Sequence, residues 1–136
     1  MLTKATLMAT LLGFIFLFFG GWLFYEVIAY DYFVDHYVNM TTGIEVNMNH
    51  IALGILIQSY ALSLLYKRYG KGEYSASNGF KMGAIAGIFV GFGSNLLLLG
   101  TTGLMDIEAT VIDGFWSIAY FGIAGSLIGF SFKKLG

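Results

Sequence analysis

Apolar residues fall into four long runs separated by short polar stretches. The first runs from Ala5 to Tyr25, and its helix is expected to continue through Ala29. The second covers about Ile51 to Tyr66, the third Met82 to Gly100, and the fourth about Val111 to Phe132. A helix needs about 20 apolar residues to cross the hydrocarbon core of a bilayer. The predicted spans are therefore 5–29, 51–66, 82–100 and 111–132, the second slightly short. The stretch Phe14-Ile15-Phe16-Leu17-Phe18-Phe19 does not alternate in polarity, which excludes barrel strands. Lipid cannot satisfy open backbone groups, so helices remain. The expected fold is all-α: a single integral-membrane four-helix bundle over residues 1–136. Lys4 ahead of the first run resembles the start of a signal peptide, but the run is too long and lacks a small-x-small cleavage pattern. It is read as a retained span.

Within the spans, small residues recur at helical spacing. Gly79, Gly83, Gly87 and Gly91 stand four apart, and Asn95 extends the series. Gly122, Gly125 and Gly129, with Ser126, form a second stripe in the fourth span, and Ala5, Ala9 and Gly13 a third in the first. Such stripes let helix backbones approach closely. They predict tight seams, either within the bundle or against another subunit.

Charge sets the orientation. All seven Lys and Arg residues lie before the first span, between the second and third, or after the fourth: Lys4; Lys67, Arg68, Lys71 and Lys81; Lys133 and Lys134. Acidic residues, Glu73 excepted, gather on the other side. Cations mark the cytoplasmic face, so both termini are expected in the cytoplasm and the protein in a cell inner membrane. Tyr25, Tyr30, Tyr32 and Tyr37 crowd one predicted boundary and Tyr66, Tyr69 and Tyr74 the other, as in an aromatic belt.

Composition agrees. Hydrophobic residues make up 57% and charged residues 11%, against roughly 25% charged in a soluble domain. With no cysteine there are no disulfides, thiol catalysis or thiolate metal sites. With no proline, any kink must come from glycine or an inserted polar group. The expected partners are the lipid bilayer and either further copies of the chain or a membrane complex; no nucleic-acid partner is expected.

Polar residues in or beside a span are candidate functional sites. Five of them fall in or near the acidic half of the spans: Glu26, His50, Gln58, Asn95 and Asp113. They are expected to line an outer-facing pocket for a small molecule, an ion or a lipid headgroup. Each also has a structural reading. Gln58 and Asn95 are candidates for an interhelical amide pair, Asp113 for a helix-dipole or capping role, and Glu26 for simple hydration at the interface. The polar stretch between the first two spans carries His36, Met40, Met48 and His50 beside Asp31 and Asp35. Imidazoles with thioethers suit copper(I), and imidazoles with carboxylates suit zinc, although no known ligand spacing is present. No nucleophile triad, phosphate-binding glycine loop or paired-carboxylate motif stands out, and no cofactor is indicated.

Gly21-Trp22-Leu23-Phe24-Tyr25, Tyr60-Ala-Leu-Ser-Leu-Leu-Tyr66, Gly79-Phe-Lys-Met-Gly83-Ala-Ile-Ala-Gly87, Asp113-Gly-Phe-Trp-Ser117 and Gly122-Ile-Ala-Gly125 together cover most of the chain. In these the chain resembles the short bacterial four-span proteins grouped as domain of unknown function 1761. The resemblance implies a fold and supplies no chemistry. Three functional readings follow from the residues. The preferred one is a non-enzymatic binding or transporter-like protein using the polar pocket. The second is an assembly subunit docking through the third-span glycines. The third is a metal-dependent enzyme using His36 and His50.

Overall fold

In a computed structural model, residues 3–24, 32, 48–102 and 106–135 are described. They form helices α1 (Lys4–Trp22), α2 (Met48–Gly70), α3 (Ala76–Gly87), α4 (Asn95–Thr102) and α5 (Ile107–Leu135). A π-helical segment, Ile88–Ser94, joins α3 to α4, so the three make one continuous rod. Four helical rods result, and each is long and apolar enough to cross a membrane. Their ends lie beyond the predicted apolar runs: Met48–Gly70 extends past 51–66 at both ends, and Ile107–Leu135 past 111–132. Hydropathy marks only the part that avoids water, whereas a helix continues until a cap or turn stops it.

Local chemistry accounts for those stops. The Thr3 hydroxyl accepts from the Thr6 amide and starts α1. Ser75 and Asn78 form a reciprocal capping box at the head of α3. The Asp106 carboxylate accepts from the Ala109 amide and caps α5. Between α2 and α3 the chain reverses through Lys71 and Gly72, both with positive φ (49° and 88°), and the Glu73 amide donates back to the Gly70 carbonyl. This is a helix end closed by left-handed residues.

Rods consecutive in sequence run antiparallel, and α1 runs antiparallel to α5 as well. Gly13 of α1 meets Ser59 of α2 and Ile128 of α5, and Leu17 meets Tyr120. Gly79 meets Gly125 and Gly129, while Gly91 meets Gly114 and Ser117. One end of the bundle consequently collects the Lys4 end of α1, the turn at 71–72 and the Lys133–Lys134 end of α5. Tyr66, Tyr74 and Phe132 pack together there, with ring centroids 5.1–5.6 Å apart. It is called the basic end below.

The interior combines large apolar side chains, among them Leu17, Tyr66, Phe121, Ile128 and Phe132, with small and hydroxyl-bearing ones, including Ala5, Thr6, Ala9, Ser59, Ser63, Ala109, Thr110, Ala124 and Ser131. The exterior is large and apolar: Phe89 is 74% exposed, Leu97 71% and Phe115 64%. In a bilayer, hydrocarbon would solvate such Phe and Leu side chains as well as a protein interior does, which would leave close packing and internal hydrogen bonds to hold the helices together. Several buried hydroxyls, those of Ser59, Ser63, Thr110 and Ser131, donate to backbone carbonyls. Ser59 donates to Thr10 across the α1–α2 seam at 2.7 Å, and Ser63 to Ser59 at 2.8 Å.

The closest seam joins α3 to α5. A β-carbon on Gly83 would lie 3.0 Å from the Gly122 Cα, and one on Gly87 2.7 Å from the Ile118 Cα. At Gly79 the neighbour is the Gly129 Cα, 3.1 Å away, and at Gly125 the Gly83 Cα, 3.0 Å away. The third-span glycines thus face the fourth span of the same chain, backbone against backbone.

Candidate functional site

The five pocket residues are placed differently from one another. Glu26 lies outside the described residues. His50 sits in the first turn of α2 and is exposed, as are Met48 beside it and Gln58 two turns further on. Among the described residues, nothing lies within 4 Å of a side chain built on Gly54 between them, and this face of α2 is exposed. Asn95 and Asp113 are brought together: the Asn95 amide donates to the Asp113 carboxylate across the seam between the π-helical segment and α5. Asn95 is half-buried and Asp113 only 7% exposed.

The π-helical segment explains how Asn95 reaches that position. In an α-helix of 3.6 residues per turn, a series spaced by four overshoots each turn by about 40°. From Gly79 to Gly87 the series therefore rotates by about 80°. Bonding from i to i+5 widens the turn, so four residues then fall short of a full turn and the drift reverses. Gly91 and Asn95 are returned to the seam. Gly91 packs on Ser117 and Gly114, and Asn95 arrives opposite Asp113. Gly91 and Gly93 lie inside the widened stretch, where absent side chains make room for it.

Asp113 lies six residues into α5, about 9 Å from its first residue at 1.5 Å per residue. The capping role belongs to Asp106 instead. Asp113 is thus an acidic group held inside an apolar seam, one turn beyond the last glycine contact. Phe92 lies across Gly114 beside it and meets Phe115 edge-on at 5.1 Å.

Next along α5, Trp116 stacks on Phe24 with centroids 4.0 Å apart and planes 9° from parallel. Its indole nitrogen is buried and has no acceptor among the described residues. Tyr120 follows at 5.5 Å from Trp116 and donates to the Leu17 carbonyl. Trp116 did not stand out in the sequence, because one tryptophan near a span end reads as a belt residue. Its spacing of three from Asp113, which puts both on neighbouring faces of one helix, was the available signal.

Of the residues considered for copper or zinc, His36 and Met40 lie outside the described residues, and Met48 and His50 stand at the start of α2. Among the described residues, no three His, Asp or Glu side chains gather as metal ligands. Comparison of the chain with protein families, with curated proteins and with solved structures finds no match.

Proposed function

We propose that this is a non-enzymatic inner-membrane protein that crosses the bilayer four times, with both termini in the cytoplasm. In this reading it binds a small cationic or hydrogen-bond-donating group at the Asn95–Asp113 seam. The ligand class comprises a small molecule, an ion or a lipid headgroup. The resemblance to the four-span proteins of domain of unknown function 1761 is compatible with this reading and adds no chemistry to it.

One observation carries the proposal: a buried carboxylate and its amide partner stand in a seam otherwise built from glycine, serine and aromatic rings. An acidic group in an apolar span is costly, so its retention asks for a return in function. A carboxylate accepts only, and an amide both donates and accepts, which together suit an ammonium group, a metal cation or a hydroxyl.

The test is thermal unfolding of the detergent-purified protein with sodium, calcium, choline or ethanolamine added. At least one should raise the midpoint of the wild type and leave Asp113→Asn unmoved. If none separates the two proteins, the binding reading fails.

A second reading, a subunit of a membrane assembly, draws on Gln58. Its amide is exposed on the outer face of α2 and has no hydrogen-bond partner among the described residues. The third-span glycines are covered by α5, so a partner would dock on α2. Gln58→Leu should then lower the oligomeric state on a native gel, and an unaltered band would count against docking.

A further inference from the structure

The basic end holds a second feature unrelated to Asp113. α3 packs chiefly on α5, and α2 chiefly on α1. The two are tied to each other at the basic end, where the Tyr66 hydroxyl takes the Ser75 amide at 3.0 Å and also pairs with Asn78. Away from that tie a cleft of about 570 Å³ opens between them. Leu65 and Tyr69 of α2 line one wall, and Met82, Ile85, Ala86, Phe89 and Val90 the other. Among the described residues that line it, Arg68 is the charged one.

We infer that this cleft binds an anionic phospholipid, with an acyl chain along the apolar walls and the phosphate on Arg68. Three observations converge. First, the volume lies in the range of small-molecule sites, and the walls are apolar but for Arg68. From Met82 to Val90 this wall runs along α3 into the π-helical segment, roughly 10 Å at up to 1.5 Å per residue, which gives a lengthwise trough and suits a chain. Second, Arg68 and Tyr69 line the cleft in the last turn of α2, which ends at Gly70, the level where a headgroup would lie in the proposed insertion. Guanidinium groups bind phosphate through paired hydrogen bonds, and tyrosine favours the headgroup region. Third, the segment 67–81 carries Lys67, Arg68, Lys71 and Lys81 against the single acid Glu73. Such a cluster draws anionic lipids toward the membrane surface. A zwitterionic lipid would fill the walls equally well but would gain less from Arg68.

The inference rests on the bilayer insertion proposed above and not on any ligand at Asp113, which lies toward the opposite end. The experiment uses the full chain in phosphatidylcholine nanodiscs doped with phosphatidylglycerol. Lipids retained after release are counted by native mass spectrometry. The wild type should retain phosphatidylglycerol in preference to phosphatidylcholine. Arg68→Ala should cut that preference about fivefold, the effect of one interfacial cation, and Arg68→Glu should abolish it. Ile85→Trp should reduce retention of both lipids by filling the trough. Arg68 and Ile85 are both exposed, so these changes do not disturb the packed seams. Lys133→Ala removes a cation at the same end, away from the cleft, and should preserve the preference. Equal losses in Lys133→Ala and Arg68→Ala would reduce the effect to general surface attraction and overturn the site. So would an unchanged preference in Arg68→Ala, or a dimer mass carrying no lipid.

Discussion

Gly87→Ala adds one methyl group where backbone atoms of the neighbouring helix leave no room for it. The new carbon would stand 2.7 Å from the Ile118 Cα and 2.8 Å from the Ser117 carbonyl carbon, with the Ser117 oxygen closer still. All three are backbone atoms, so no side chain can swing aside. Carbon atoms rest at about 3.5–4.0 Å, so the two helices must part by roughly 1 Å. Overpacking costs about 1–3 kcal/mol, and with only backbone atoms in the way the upper part of that range, about 2–3 kcal/mol, applies. The better helix propensity of alanine returns at most about 1 kcal/mol, leaving a net loss of about 1–2 kcal/mol. Gly54→Ala is the internal control. Among the described residues nothing lies within 4 Å of its new carbon, so the propensity gain remains, and stability should hold or rise by up to about 1 kcal/mol. Both are measured by equilibrium unfolding in mixed micelles titrated with dodecyl sulfate, followed by helical circular dichroism. A Gly87→Ala protein as stable as the wild type would refute the backbone-to-backbone seam. So would equal losses at both positions.

Asn95→Leu removes the amide that supports the Asp113 carboxylate and should destabilise the bundle by about 1–3 kcal/mol. Adding Asp113→Leu should recover part of that loss, and a double-mutant cycle with no coupling would show that the two groups act independently. Tyr66→Phe deletes the hydroxyl that joins the Ser75 amide, the Ser75 carbonyl and Asn78. It should cost about 1–3 kcal/mol in the same titration, as expected for stranded polar partners, and faster amide exchange at Ser75 should accompany it.

The four apolar rods were legible because length and hydropathy alone decide them. Their seams were legible in part. The fourfold glycines announced a close approach, but only the antiparallel register assigns Gly83 to Gly122 and Gly79 to Gly125 and Gly129. Asn95 was legible as an extension of that series, and Gln58 as its amide partner. In the structure the partner is Asp113, because the π-helical segment carries Asn95 onto the α5 seam while Gln58 sits on the open face of α2. Nothing in Ile88-Phe-Val-Gly-Phe-Gly-Ser94 encodes a widened turn at the level of hydrophobic pattern, since both faces of that stretch are apolar. Ser59 and Ser63 were passed over for the same reason: mid-span serines carry no periodic signal until Thr10 and Gly13 are known to stand opposite them. Asp113 was read as opening its span because apolar content begins near Val111. The helix starts at Ile107, where Asp106 supplies the cap.

Orientation joins these pieces, and the absence of cysteine makes it directly measurable. Antiparallel packing of four rods forces the Lys4 end, the turn after α2 and the Lys133–Lys134 end to one side of whatever the bundle crosses. The bundle thus places all the cations together by geometry, while the positive-inside rule places them by charge. The two arguments are independent: one depends on the contacts of Gly13, Gly79 and Tyr66, the other only on where Lys and Arg occur. Single cysteines at Ser77 and Leu135, both exposed near the basic end, and at Met48, exposed at the opposite end, report on both. In intact spheroplasts a membrane-impermeant maleimide should label Met48→Cys and spare Ser77→Cys and Leu135→Cys until the membrane is lysed. Labelling of Ser77→Cys and Leu135→Cys with Met48→Cys spared would invert the protein and move Arg68 to the outer leaflet, but leave the bundle intact. Labelling of Ser77→Cys without Leu135→Cys would break the antiparallel arrangement itself, because no four-rod bundle with the Gly79–Gly125 seam can put those residues on opposite sides.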